Sequence, residues 1–245
     1  MQLRIRPLTD AVAGVGREAI AVGAAVAHYR RRFVVPERPP AGRPTWTTRP
    51  VVLVHGFGHN AGAWSELATR LAAAGFFDLS TVTYGIDDDV PGIAARIAEE
   101  VDAVTAACAV DRVHLVGHSL GGVAIRYWYD VLCGDEHADA VVTLGAPLRE
   151  VIWTRLPFLR ASARDLAAGS AVSTMLGRRR GRHDHWTTVG GLFDVVVPPG
   201  SAHLDDADVV DVPTGHAGLL TSARAGGEVC LALLHAEERR AAGSA

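Results

Sequence analysis

Short runs rich in apolar and β-branched residues alternate along the chain with longer stretches in which apolar residues recur every three or four positions. The short runs lie at residues 51–54, 81–84, 113–116, 140–144, 186–189 and 209–212. The longer stretches lie at residues 61–74, 90–107, 123–132, 217 onward and 228–239. A continuous apolar run is typical of a parallel strand buried on both faces, whereas the longer stretches predict helices. The alternation predicts an α/β fold with a mostly parallel sheet of about six strands and helices on both faces.

Two segments precede the first predicted strand. Residues 8–33 carry one apolar stripe at helical spacing and end in a run of arginines, which predicts an N-terminal helical extension over residues 1–35. Residues 36–50 contain five prolines and predict an extended linker to the main domain at residues 51–240. We expect the stripe to dock on that domain. The alternative is a peripheral contact with a membrane or a partner.

The third predicted strand ends in the pentapeptide Gly117-His118-Ser119-Leu120-Gly121. A strand, a sharp turn and a helix form the context in which G-x-S-x-G presents a serine nucleophile. The tight turn strains the serine backbone and requires neighbours without bulk, which the two glycines supply. It also directs the amide of Leu120 to the helix N-terminus, where an oxyanion can be held. These features favour a nucleophilic Ser119 over an ordinary β-α turn.

A serine hydroxyl needs a base, and the eleven histidines supply the candidates. In parallel sheets the reactive groups lie on loops beyond the carboxyl ends of the strands. His216 directly follows the last predicted strand, whereas His203 lies in a loop that follows no clear strand. His183 and His185 flank an arginine-rich loop, and we expect them to face solvent. The position therefore favours His216 as the base.

The base needs a carboxylate that fixes its tautomer. Asp194 lies just beyond the strand predicted at residues 186–189, and it comes before His216 in the chain. The order Ser, Asp, His is the one that accompanies this type of serine turn. The rival carboxylates, which we interpret as solvated or capping groups, are Asp184, Asp205, Asp206 and Asp208.

An oxyanion hole requires a second backbone donor besides Leu120. The segment His55-Gly56-Phe57-Gly58 follows the first predicted strand, and its glycines allow a close approach of the backbone. The amide of Phe57 is the natural second donor. We expect His55 to form structural hydrogen bonds within the loop.

Composition narrows the class of protein. The chain has 245 residues, of which 49% are apolar and 21% charged, and a net charge of −3, as in one sizeable soluble domain without a nucleic-acid partner. Charged residues interrupt residues 8–27, which lack the features of a membrane span or a secretory signal, so a cytoplasmic protein is predicted. Three widely spaced cysteines predict buried thiols in place of a disulfide framework or metal site. These cysteines are Cys108, Cys133 and Cys230.

Together these motifs resemble the α/β-hydrolases of the bacterial lipase and esterase type. The resemblance covers about residues 50–235 and includes Gly145-Ala146-Pro147 after a strand in addition to the motifs above. It implies hydrolysis of carboxylic esters, with a small-molecule ester or lipid as substrate, through an acyl-enzyme on Ser119 and with no cofactor or metal. The chain departs from lipases of this type at residues 145–150, where they commonly carry Thr-Pro-His-His-Gly-Thr.

Two alternatives to an esterase remain open from the residues alone. An acyltransferase or a thioesterase would use the same three side chains with a different acceptor or leaving group. A non-catalytic binding protein could also use this fold, but it has no need to keep Ser119, Asp194 and His216 together.

The segment at residues 148–184 has no clean period and lies between two predicted strands, where this fold inserts its cap. It predicts a short lid-like insertion and a small or absent cap. Trp153 and Phe158 lie in an apolar cluster with arginines spaced among them, and they are candidate substrate-binding residues along the acyl chain. The alternative is that they pack against the sheet.

Overall fold

A computed structural model of the chain describes most of the predicted main domain. The described residues are 48–149, 161–167, 169–178 and 182–243. The predicted N-terminal helix, nearly all of the linker, Trp153 and Phe158 lie outside these residues.

The described residues form a six-stranded sheet in which every strand runs parallel to its neighbours. The strands are β1 (Val51–Val54), β2 (Leu79–Val82), β3 (Val113–His118), β4 (Ala138–Leu144), β5 (Trp186–Gly191) and β6 (Asp208–Val212). Their order across the sheet is β2-β1-β3-β4-β5-β6. The chain moves outward from β1 to β2 and then returns to the other side of β1 with β3. A crevice therefore forms beyond the carboxyl ends of β1 and β3, where ligands bind in open parallel sheets.

Helices connect the strands, as the alternation predicts. They are α1 (Ser65–Ala73), α2 (Val90–Cys108), α3 (Leu120–Val131), α4 (Ala161–Leu166), α5 (Ala171–Arg178), α6 (Pro199–Ala202) and α7 (Ala223–Gly243). Short 3₁₀ helices lie at Ala61–Trp64, Gly134–His137 and Ala217–Leu220. Among these helices none is both long enough and apolar enough to cross a bilayer.

Both faces of the sheet are buried at its centre, which explains why the central strand β1 is apolar throughout, whereas the edge strand β6 is largely exposed. Successive side chains of a strand point to opposite faces. Val52 and Val54 pack in the core on the face that α2 covers, together with Ile97 of that helix. Val51 and Leu53 pack in the second core, on the face that α1 and α7 cover. The predicted fold class is confirmed.

Two predicted boundaries shift near the site. The strand predicted at residues 81–84 ends at Val82, and Tyr84 instead donates a hydrogen bond from its hydroxyl to the carbonyl oxygen of His55. The helix predicted from residue 123 begins at Leu120, because the serine turn passes directly into it. Both differences arise where the chain leaves the sheet.

Helix α2 has a well-defined start and end. The side chain of Asp89 caps its N-terminus by accepting a hydrogen bond from the Gly92 amide at 2.8 Å. The carboxylate of Asp165 in α4 accepts from the Val90 amide at 2.8 Å, which ties the described part of the predicted insertion to this helix. The helix ends at Ala109, which has a left-handed conformation with φ 52°.

The prediction of buried cysteines is wrong for two of the three. Cys108, in the last turn of α2, and Cys133, in the tight turn after α3, are exposed, and Cys230 is half-buried. The sequence predicted that both residues lie in helices. It did not show that Cys108 is on the exposed face of α2 or that Cys133 lies beyond the end of α3.

Candidate active site

Ser119 occupies a strained turn between β3 and α3. Its backbone has φ 51° and ψ −121°, a combination that L residues rarely adopt. Its amide donates to the carbonyl oxygen of Leu144 at 2.9 Å, and its own carbonyl accepts from the Gly122 amide at 3.0 Å. The adjacent strand and the first turn of the helix therefore hold the strained residue in place.

The glycine at position 121 is required by the approach of α3 to the end of β1. A Cβ atom there would overlap the carbonyl oxygens of Val54 and His55. At Gly117, a Cβ atom would lie 2.7 Å from the Cα atom of Gly122. The lack of bulk predicted on both sides of the serine thus has a steric cause, and it brings the start of α3 against the loop after β1.

His216 and Asp194 form a short hydrogen bond beyond the ends of β5 and β6. The Nδ1–H group of His216 donates to Asp194 Oδ2 at 2.7 Å. The other carboxylate oxygen accepts from the amides of Val196 at 2.8 Å and Val197 at 2.6 Å. The Asp194 side chain is fully buried. With its proton on Nδ1, the imidazole keeps the lone pair of Nε2 for another donor.

Two successive residues where β4 ends lie next to the serine turn and to the Asp194–His216 pair. Leu144 accepts the hydrogen bond from the Ser119 amide. Gly145 follows with φ 54°, and a Cβ atom on it would lie 3.1 Å from Asp194 Oδ2 and 3.2 Å from His216 Nδ1. A side chain at Gly145 would therefore press on the Asp194–His216 pair.

The loop after β1 lies against the serine turn. A Cβ atom on Gly56 would lie 3.1 Å from the Cβ atom of Ser119. The loop turns tightly, with the His59 amide donating to the Gly56 carbonyl at 3.2 Å and with φ 68° at Gly58. The segment that contains the predicted donor Phe57 thus neighbours the nucleophile turn.

His55 forms structural contacts in this loop. Its Nδ1–H group donates to the Gly56 carbonyl at 2.9 Å. Its ring stacks on Tyr84, with the ring centroids 4.2 Å apart. Burial lowers the pKa of His55 and raises the pKa of Tyr84, so both are neutral near pH 7.

The predictions from sequence missed His118, which packs against His216, and His59, which stacks on His118. The ring centroids of His118 and His216 are 4.8 Å apart. The His59 ring stacks on the His118 ring, with the centroids 5.6 Å apart and an interplanar angle of 9°. Burial, with His216 close by, holds the pKa of His118 well below its usual value. Burial together with His55 and His216 lowers the pKa of His59 to about 4. A polar residue at the end of a fully buried strand was the available signal for His118.

His203, the rival base, is occupied by other partners. Its Nδ1 atom lies 2.9 Å from the hydroxyl of Thr188, and its Nε2 atom lies 3.1 Å from Asp211 Oδ1. Both ring nitrogens are therefore committed to β5 and β6.

The expectation that His183 faces solvent is wrong. Its ring is buried, with Nε2 at 3.1 Å from Asp130 Oδ1 and Nδ1 at 3.0 Å from Asp206 Oδ1. Burial opposes its charge, but the hydrogen bonds to the two carboxylates raise the pKa of His183. The rival acid Asp206 is thereby engaged in a structural pair, whereas His185 is exposed as expected.

A group that could hold a metal ion lies at the opposite end of β3. The ligand atoms of His114, Asp139 and Glu237 lie within 4.8 Å of one another. Arg49 already binds both carboxylates, because its Nε atom lies 3.1 Å from Asp139 Oδ2 and its backbone amide donates to Glu237 Oε1 at 2.6 Å. The described geometry is that of an ion-pair network.

Comparisons with known proteins agree with this architecture. The chain is 38% identical over 80 residues to the probable esterase PIR7A of Oryza sativa subsp. indica, a match that covers 30% of each protein. Lipase B of Aspergillus fumigatus has a TM-score of 0.65 at 19% identity, over 84% of this chain and 59% of that one. The mature lipase BlEst2 of Bacillus licheniformis has a TM-score of 0.60 at 18% identity, over 81% and 96%.

These matches differ in what they show. The chain covers less than two thirds of the rice protein and of the fungal lipase. At such low identity the two solved structures indicate the fold alone. The profile of the alpha/beta hydrolase family, however, matches residues 51–240, which include the whole sheet and the Ser119, Asp194 and His216 positions. The chain therefore belongs to the alpha/beta hydrolase family.

Proposed function

We propose that this protein is a serine hydrolase that cleaves carboxylic esters through an acyl-enzyme on Ser119. The observation that carries the proposal is the 2.7 Å hydrogen bond between His216 and Asp194. This pair lies at the carboxyl end of β4, and the strained turn of Ser119 is hydrogen-bonded to the same end of that strand. A nucleophile, a base and an acid that orients the base are the groups that acyl transfer requires. The names of the rice esterase and of the two lipases support an ester as the substrate.

Acylation begins when Ser119 Oγ attacks the ester carbonyl carbon while its proton passes to His216 Nε2. The carbonyl oxygen becomes an oxyanion. When the tetrahedral intermediate collapses, the bond to the alcohol oxygen breaks and the leaving alkoxide takes the proton from His216. Water then attacks the acyl-enzyme by the same route, which releases the carboxylic acid and returns the proton to Ser119.

Asp194 acts on the orientation and charge of His216. Its buried carboxylate is aimed by two backbone amides, and it accepts the Nδ1 proton, so that Nε2 is the atom available to Ser119. When His216 becomes an imidazolium, the adjacent carboxylate stabilises that charge without itself taking a proton.

The amides of Phe57 and Leu120 are the proposed donors to the oxyanion. Leu120 begins α3, so its amide lies where the positive end of the helix dipole adds to the hydrogen bond. The short distance of 3.1 Å that a Cβ atom on Gly56 would have to the Cβ atom of Ser119 supports Phe57 of the same loop as the second donor.

Residues 148–184 are proposed as a small lid-like insertion that supplies part of the acyl-binding wall. The side chains proposed to contact the acyl group are Trp153 and Phe158, by their apolar character alone. An insertion of this length favours short to medium acyl chains. Replacing both residues by alanine should change the ratio of activities on butyrate and palmitate esters, and an unchanged ratio with lower stability would assign them to the core.

The test of the reaction uses an activity panel together with a covalent probe. Parent protein is expected to hydrolyse p-nitrophenyl esters faster than acyl-CoA thioesters, and a fluorophosphonate is expected to label Ser119. Ser119→Ala should lose turnover by on the order of 10⁶ while keeping its fold. Labelling at another serine, or thioesters as the better substrates, would contradict the proposal.

A further inference from the structure

The rings of His59, His118 and His216 pack in a row, in which the first two rings are stacked and the last two are tilted by 47°. The centroids of the first pair are 5.6 Å apart and those of the second pair 4.8 Å apart. The middle ring belongs to the residue that directly precedes Ser119, and it is fully buried. One side chain therefore contacts the base from a position covalently fixed to the nucleophile.

A hydrogen bond accompanies the ring contact. His118 Nε2 lies 3.3 Å from the carbonyl oxygen of His216. Because a carbonyl oxygen only accepts, the ring nitrogen must donate, and His118 carries its proton on Nε2. The same carbonyl also accepts from the Leu219 amide at 3.3 Å, within the 3₁₀ turn that follows. The carbonyl oxygen of His216 thus accepts one hydrogen bond from its own 3₁₀ turn and one from the His118 side chain at the end of β3.

The other nitrogen of this ring faces the loop after β1. His118 Nδ1 has no hydrogen-bond partner among the described residues, and a Cβ atom on Gly56 would lie 2.7 Å from it. Gly56 therefore lets the loop that contains Phe57 close onto the ring. The titratable groups near His118 are His55 and His59 in that loop and His216 on the other side, with Asp194 bound to His216.

We propose that His118 is a positioning residue that fixes the His216 backbone, and the loop of the oxyanion donors, relative to Ser119. This inference rests on the proposed serine hydrolase function. His118 touches neither the reacting atoms nor their proton; it acts through the His216 carbonyl and through van der Waals contact with Gly56. The strained Ser119 turn adds rigidity, because His118 cannot shift without moving the nucleophile.

The proposal requires His118 to remain neutral, and its surroundings favour that state. Burial and the neighbouring His216 hold the pKa of His118 well below its usual value. A protonated ring at this position would oppose the imidazolium that forms on His216 during each proton transfer. A neutral donor can hold the base without adding charge beside it.

Two substitutions separate the hydrogen bond from the space that the ring fills. His118→Phe keeps a planar ring and removes the donor, and kcat should fall by on the order of 10- to 100-fold with KM within about twofold. His118→Gln carries a donor to about the position of Nε2 and should return kcat to within about threefold of the parent. Equal activity of the Phe variant and the parent would overturn the proposal, as would a Gln variant no better than Phe.

The pH profile and amide exchange distinguish positioning from a chemical or purely structural role. The acidic limb of kcat/KM should lie at the same pH in the Phe variant and the parent, because His118 stays neutral there. A displaced limb would show that His118 titrates in catalysis. Amide hydrogen exchange in the peptide of residues 213–221 should become faster in the Phe variant, because the His216 carbonyl oxygen loses one of its two hydrogen bonds. Unchanged exchange would count against the proposal.

His114→Gln is the matched control, because this second buried histidine of β3 lies at the other end of the strand, away from Ser119. It should lower the melting temperature and leave kcat unchanged. If the parent neither turns over esters nor reacts with the fluorophosphonate at Ser119, the serine hydrolase function fails. The exchange measurement then still decides whether His118 holds the His216 backbone.

Discussion

Strand β3 carries a buried histidine at each end, and the two have opposite surroundings. His114, at the amino end, lies 3.0 Å from Glu237 and 4.0 Å from Asp139, so carboxylates surround it. His118, at the carboxyl end, packs against other imidazole rings. The amino end thus sets a histidine among carboxylates, whereas the carboxyl end packs histidine rings against one another.

The two ends also differ in their consequences for stability. Burial would raise the pKa of Glu237, but hydrogen bonds from His114, the Arg49 amide and Arg240 lower it to about 2, so the charged carboxylate favours folding. At the other end burial lowers the pKa values of His59 and His118, and Ser119 has a strained backbone. Such costs concentrate at functional sites, where reactivity needs them. The contrast separates a structural histidine from those of the candidate site.

Among the tests of this contrast, the largest expected effect comes from neutralising one carboxylate near each end of the sheet. Asp194→Asn should lower kcat by about 10⁴, the loss seen when the acid of a serine protease triad is replaced by its amide, because the tautomer of His216 is no longer fixed. Glu237→Gln makes the same chemical change beside His114 and should alter kcat by less than about twofold. Steady-state kinetics on a p-nitrophenyl ester measures both. A comparable loss in the Glu237 variant would erase the proposed distinction.

The second prediction concerns the pH dependence of unfolding. The pKa values of His118 and His59 are lower in the folded state, so the unfolded chain binds more protons and stability falls as the pH drops from about 6.5 towards 4. Glu237 loses its stabilising charge in a lower pH range, as the pH falls from about 4.5 through 2. Urea unfolding between pH 3 and 8 should show both slopes. Glu237→Gln should flatten only the lower one and His118→Gln only the upper one, and any other pairing would contradict the assignment.

The sequence predicted the fold, and it predicted that Ser119, Asp194 and His216 lie beyond the ends of strands, because both depend on local patterns. Short runs rich in apolar and β-branched residues indicate strands of a parallel sheet, and Ser119, Asp194 and His216 each follow such a run. The sequence could not predict the row of rings formed by His59, His118 and His216, or the hydrogen bond between His183 and Asp130. Those contacts join residues far apart in the chain, and they depend on the strand order and register of the finished sheet.

The smallest expected effect concerns the strain at Ser119. Glycine tolerates φ 51° and ψ −121° far better than serine does, so Ser119→Gly should raise stability by about 1 kcal/mol, or a few degrees in Tm, while removing activity. Ala109→Gly is the control at an exposed residue with φ 52°. It should give a similar or smaller gain and keep full activity, since it lies at the end of α2. Calorimetry and ester kinetics on both variants measure the two effects. If Ser119→Gly were no more stable than the parent, the strain would carry no thermodynamic cost, and the carboxyl end of β3 would differ from the amino end in its charges alone.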